Sequence, residues 1–104
     1  MANETITKRQ LCERIAAKTG YTQVVTKTII QQFLDEIIDE LSKGNRMEFR
    51  NFGVFDTRVQ APKKARNPRT NEVVQVPAKA VVYFKVGKDM QDRAQQALPY
   101  LEEE

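Results

Sequence analysis

A chain of 104 residues, 40% hydrophobic, with five Phe, three Tyr and no Trp, has the length and apolar content of one folded domain rather than a disordered tail. At this size a lone copy buries only roughly 60–68% of its unfolded surface, which makes a monomer marginal and favours a dimer. The net charge of +3 is weak evidence for a polyanionic partner, whereas no His and a single Cys rule out a His-based metal site, a Ser-His or Cys-His nucleophile pair and an internal disulfide.

The first nine residues, MANETITKR, contain no signal-peptide core, and no apolar run reaches ~18 residues, so a soluble, intracellular protein is expected. Thr7 and Gln10 have capping-box spacing, with Ile6 and Leu11 placed as a hydrophobic staple. Leu11, Ile15 and Ala16 then mark the apolar face of a first helix that Gly20 stops. Cys12 on that helix is read as a small buried apolar residue, since it has no partner Cys or activating His.

Thr22 is the next N-cap candidate. From Val24 to Leu41, nine of eighteen residues are apolar, in two adjoining stripes wider than one core requires. A second partner surface follows from that width, with Lys43 and Gly44 ending the helix. Asp35, Glu36, Asp39 and Glu40 form its solvated face, not a catalytic pair. The same two helices have helix-turn-helix spacing, but inserting the second into DNA would bring those acids toward phosphates, so a packing hairpin is preferred.

From Arg46 the hydrophobic period becomes two. Met47 and Phe49 alternate with Glu48 and Arg50, and Asn51-Phe52-Gly53 turns into a strand over 54–59. A further strand covers Ala80–Val86, and Gly87 separates it from a short helix with Met90 and Ala94 inward, ending before Pro99. Phe49, Phe52, Phe55 and Phe84 are read as core, and Glu102–Glu104 as a solvated, frayed tail.

Residues 60–77 hold three of the four prolines (Pro62, Pro68, Pro77) and almost no large apolar residue before Val73. Asn67-Pro68-Arg69-Thr70-Asn71 is turn chemistry between extended flanks, which describes a long β-ribbon projecting from the body. Charge concentrates here: residues 46–88 carry ten basic against three acidic side chains, 1–45 are balanced, and 89–104 are net acidic. Lys63, Lys64, Arg66 and Arg69 on such a ribbon suit phosphate neutralisation, and Pro68 is a rigid apolar wedge for a base step. Thr70 either bonds a phosphate or closes the turn.

Asn51-Phe52-Gly53-Val54-Phe55, Arg66-Asn67-Pro68-Arg69-Thr70-Asn71-Glu72, Pro77-Ala78-Lys79 and Phe84-Lys85-Val86-Gly87-Lys88 together make the chain resemble the HU/IHF family of bacterial DNA-bending proteins, without gaps from about Ile6 to Gln95. The resemblance implies an α+β fold: a helical hairpin base, a three-stranded antiparallel sheet with the protruding ribbon, a short C-terminal helix, and an intertwined dimer. It divides the single domain into a helical dimerisation part (1–45), sheet and arm (46–88) and C-terminal helix with acidic tail (89–104). Ile30, Phe33, Leu34, Ile37, Leu41, Phe52 and Phe55 become interface residues.

Minor-groove wedging is a property of that family; carried over, it makes Pro68 the intercalating residue, with Arg66 and Asn67 beside it and Arg58, Lys63, Lys64 and Arg69 along the arm. Lys8, Lys79, Lys85 and Lys88 become phosphate contacts on the body, and Arg50 a groove contact. The implied partners are double-stranded DNA and a second subunit, identical or paralogous, in the nucleoid of the bacterial cytoplasm; no enzyme activity, cofactor or membrane is implied. Ala65, Asn71 and Asn51 stand where the family usually has Gly, and Val86 where it often has Pro or Ala. Asn tolerates the left-handed turn conformation, so the tip is expected to survive, whereas Ala65 bears on the arm's local bend. The acidic tail either competes with DNA for the arms or has no such role. The competing readings are a helix-turn-helix regulator and a protein-interaction module.

Overall fold

The computed structural model describes residues 3–102. Helix α1 (Lys8–Thr19) opens on the expected reciprocal cap: the Gln10 N–H donates to Thr7 Oγ1 at 3.3 Å and the Thr7 N–H to Gln10 Oε1 at 2.9 Å. Helix α2 (Gln23–Ser42) opens on Thr22, whose Oγ1 accepts the Val25 N–H at 3.2 Å. At its far end Asn45 Nδ2 donates to Glu40 Oε1 at 2.8 Å, and Lys43 Nζ lies 3.6 Å from the other oxygen. Those two contacts hold the Glu40 carboxyl below the usual carboxylate range.

The side chains buried on α1 are Cys12 and Ala16, and Thr26 is buried on α2. Leu11 and Ile15, expected on the packed face with Ala16, are instead exposed. The hairpin closes through small residues one helical step away from them, because small side chains let two helices approach closely. The larger pair is left on an outer apolar strip.

Strand β1 (Met47–Phe49) pairs antiparallel with β2 (Gly53–Gln60), and β2 pairs with β5 (Lys79–Val86), giving the order β1-β2-β5. The turn between β1 and β2 needs a left-handed residue, which Asn51 supplies at φ 66°. Gly53 is required sterically: a Cβ there would collide with the Phe84 ring and lie 2.7 Å from the Lys85 carbonyl oxygen. Helix α3 (Lys88–Ala94) docks on that turn, with the Gly87 N–H on the Phe52 carbonyl at 2.8 Å and the Met90 N–H on that of Asn51 at 3.3 Å.

Met90 is half-buried as expected, but Ala94 is exposed. The chain also does not stop before Pro99. A 3₁₀ turn over Gln95–Ala97 leads into α4 (Leu98–Glu102), where Pro99 occupies the first turn, whose N–H groups have no helical acceptor in any case. Glu103 and Glu104 of the predicted acidic tail lie outside the described residues.

One face of the sheet meets α2, where Thr57 Oγ1 donates to the Leu41 carbonyl at 3.0 Å. On this face Phe33, Phe49, Phe52, Phe55 and Phe84 form a chain of tilted and edge-on rings, with centroids 4.7–6.4 Å apart. Within one copy these phenylalanines, read as core, are only partly covered. Phe33 remains 53% exposed, Phe52 47% and Phe84 42%, and Phe33, Leu34, Ile37, Phe49, Phe52 and Phe55 line an open apolar hollow of about 270 Å³.

Among the described residues, the only buried hydrophobic side chains are Cys12, Ala16 and Leu41, and none of the three is fully enclosed. The chain exposes 9249 Å², against roughly 6,000 Å² for a compact monomer of this mass. Its radius of gyration is 19.6 Å, against about 13 Å for a compact domain.

Two outcomes are expected. Asn51→Ala should lower stability by ~1–2 kcal/mol in chemical denaturation while Asn51→Gly is tolerated, since only the alanine strains the left-handed turn. The melting temperature should climb with protein concentration, and Phe33→Asp should abolish that dependence by placing a charge on the open apolar face.

Candidate nucleic-acid interface

Beyond β2 the chain breaks at Ala61-Pro62 and resumes as β3 (Lys63–Arg66), which pairs antiparallel with β4 (Val73–Val76) before a second break at Pro77-Ala78. Proline has no N–H to give a ladder, so a proline on each side separates this ribbon from the sheet at its neck. The expected arm over 60–77 is thus a distinct two-stranded ribbon, with Ala65 in regular pairing opposite Val74. Ala65 introduces no left-handed residue, unlike a position that demands glycine.

The register sorts the ribbon's side chains. Lys64 pairs with Gln75 and Arg66 with Val73 on one face, while Lys63 pairs with Val76 and Ala65 with Val74 on the other. One face is therefore mainly polar and basic, and the other mainly apolar.

The tip is closed by its own hydrogen bonds. The Asn67 N–H donates to the Glu72 carbonyl at 2.8 Å, and the Asn71 N–H donates to the Asn67 carbonyl at 2.7 Å. Asn67 Oδ1 accepts the Arg69 N–H at 2.9 Å, and Thr70 Oγ1 accepts the Glu72 N–H at 3.4 Å. Thr70 thus closes the turn in this structure. Asn71 takes φ 64°, the left-handed conformation expected of it. Pro68 stands exposed at the apex, and the Arg66 guanidinium reaches across to Asn71, 3.3 Å from its carbonyl oxygen and 3.1 Å from Oδ1.

The other predicted contacts fall into separate groups. Arg58, Lys79 and Lys85 share the sheet face opposite the aromatic one, since Arg58 pairs with Val81, Gln60 with Lys79 and Val54 with Lys85. Arg58 is fixed there between Asp56 Oδ2, 3.4 Å from its Nε, and the Tyr83 ring, 5.1 Å from its Cζ. Arg50 and Lys88 flank the junction where α3 docks on the 51–52 turn. Lys8 lies on the helical hairpin, its Nζ bonded to Gln31 Oε1 of α2, away from the sheet cluster.

Of the predicted interface residues, Phe33 and Phe52 are exposed, Ile30, Leu34, Ile37 and Phe55 half-buried, and Leu41 already buried within its own copy. Sequence reasoning missed Arg46 and Tyr83, which line one depression with Arg58 and Lys85. Strand parity across β2 and β5 was the signal that could have grouped them.

A hairpin of helices beneath a three-stranded sheet, with a basic proline-tipped ribbon leaving that sheet, defines a class of protein that presents cations on an extended scaffold. The chain belongs to the bacterial DNA-binding protein family, whose model matches residues 6–95. It is 41% identical over 76 residues to the DNA-binding protein HTa of Thermoplasma acidophilum, covering 73% of this chain and 84% of that one. It is 37% identical over 90 residues to the integration host factor subunit alpha of Actinobacillus pleuropneumoniae, covering 86% and 92%. Among solved structures it is similar to the Anabaena HU–DNA cocrystal structure, with TM-score 0.78 and 29% identity, covering 86% of this chain and 97% of that one.

Proposed function

We propose that the chain is an architectural DNA-binding protein that acts as a dimer, lays its two ribbons along the minor groove and bends the duplex by inserting Pro68 from each. The observation that carries this reading is the ribbon: a projecting two-stranded element with Lys63, Lys64, Arg66 and Arg69 along it and an exposed proline at a tip closed by its own hydrogen bonds. Likeness to the DNA-binding protein HTa, the integration host factor subunit alpha and the Anabaena HU–DNA cocrystal structure supports it.

Each part has a physical task in this reading. The cations release counterions from phosphate, which gives affinity that falls steeply with salt and carries little sequence information. Pro68 has no N–H to strand between bases, so it can separate a base step without leaving a buried donor unpaired. Arg58, Lys79 and Lys85, with Arg46, give the sheet a cationic face for the same backbone, and Arg50, Lys88 and Lys8 extend the contact along the flanking duplex. Specificity then comes from groove width and deformability.

The apolar face around Phe33 and Phe52 seats a second copy or a paralogous subunit. Residues 1–45 serve dimerisation and 46–88 bind DNA, with 89–104 as the C-terminal helix and acidic tail. The protein does this structural work in the nucleoid, within the cytoplasm, without catalysis. Helix α2 remains a packing element: its acids are solvent-facing, and its apolar stripes face the subunit interface.

Two measurements separate charge from wedge. Pro68→Ala should reduce the bend read by FRET between duplex ends more than it reduces affinity; wild-type bending in that variant would sink the wedge role. Lys64→Ala should weaken binding to all duplexes alike and lower the magnitude of the log K against log[salt] slope by about two, one phosphate contact for each arm of the dimer.

A further inference from the structure

We propose that Arg66 and Asn71 form a clasp across the neck of the ribbon tip, and that Asn71 is a positioning residue: it orders the loop that presents Pro68. Three observations carry this. Asn71 occupies the left-handed region at φ 64°, where glycine would be the least strained choice. Its side chain is nevertheless used, because the Arg66 guanidinium donates both to Asn71 Oδ1 at 3.1 Å and to the Asn71 carbonyl at 3.3 Å. These bonds join the last residue of β3 to the far side of the loop over 67–72, two residues before β4.

The clasp acts where little else does. The ribbon has no core, and both its neck and its tip are solvent-exposed. Loop order therefore comes from local bonds: the Asn67 N–H to the Glu72 carbonyl, the Asn71 N–H to the Asn67 carbonyl, the Arg69 N–H to Asn67 Oδ1, the Glu72 N–H to Thr70 Oγ1, and the clasp. All but the clasp lie at the loop's base or inside it, and all would survive a glycine at 71. The Arg66 bond to the carbonyl of residue 71 would survive it too, so only the bond to Oδ1 depends on the Asn71 side chain. It also holds the Arg66 guanidinium back over the tip, so part of what Arg66 contributes is delivered through loop geometry, in addition to its charge.

This inference rests on the ribbon reading, but its first test needs no DNA. In the free wild-type protein, backbone order parameters over residues 67–71 should lie near ~0.8, and in Asn71→Gly they should fall below ~0.6. Asn71→Asp, which tolerates the same backbone and keeps an acceptor for Arg66, should restore them. Unchanged order in Asn71→Gly, or no recovery in Asn71→Asp, overturns the clasp.

The second test is a double-mutant cycle on duplex binding at fixed salt. Asn71→Gly removes no charge and should still weaken binding roughly two- to fivefold. The same substitution made in Arg66→Ala should have no effect. An equal loss in both backgrounds, or no loss in the wild-type background, overturns the positioning role. If the wild type orders its tip but neither binds nor bends DNA, the proposed function falls while the clasp stands.

Discussion

The fold depends on an aromatic cluster that one copy of the chain cannot enclose. Phe49 of the sheet meets Phe33 of α2 and Phe55 of β2, and Phe52 and Phe84 continue the row, yet three of the five rings stay about half exposed. A sheet of three short strands with one apolar face needs a cover, and the helical hairpin supplies only part of it. The hairpin itself closes on Cys12, Ala16 and Thr26, which contribute little apolar area. In the proposed dimer a second copy supplies the missing cover. The ribbon gains from that division: a base held in this way can carry a projecting element that has no core of its own.

Charge follows the same division. The balanced segment 1–45 lies in the helices, and the surplus of 46–88 lies on the ribbon and on the sheet face turned away from the aromatic cluster. Alternation along β2 produces this directly, since Phe55 and Thr57 point one way while Asp56 and Arg58 point the other. Asp56 partly offsets Arg58 and, with Tyr83, fixes its orientation. Arg58 is therefore presented in a defined place, unlike Lys63 and Lys64, for which no ion pair is seen among the described residues. A fixed cation at the root and free ones along the arm suit a surface that must seat a stiff duplex and then follow its groove.

Much of this was legible in the sequence because the signals were local. Caps at Thr7 and Thr22, the stops at Gly20 and Gly44, strand parity from Met47 and turn chemistry around Pro68 each depend on a few neighbouring residues, and each appears in the structure. The misses were of another kind. Whether α1 packs through Leu11 and Ile15 or through Cys12 and Ala16 is decided by how closely two helices approach, which a single helix's periodicity does not contain. Pro99 punctuates in isolation, but after a 3₁₀ turn it starts the next helix. Arg46 joins Arg58 and Lys85 only through the pairing of three strands.

The two left-handed asparagines show how a departure from glycine can carry information. Asn51 and Asn71 adopt nearly the same φ, 66° and 64°, at turns that a glycine would satisfy with less strain. Asparagine narrows the unfolded chain's freedom relative to glycine, and it adds an amide that glycine lacks. At Asn51 the backbone carbonyl receives the Met90 N–H, so the turn's conformation fixes where α3 docks. At Asn71 the amide oxygen receives Arg66. For a ribbon that must order on a duplex, a tip already ordered in the free protein loses less conformational entropy on binding. A glycine tip would meet that cost at the DNA; an asparagine tip meets it during folding, and it takes one of the arm's arginines to do so.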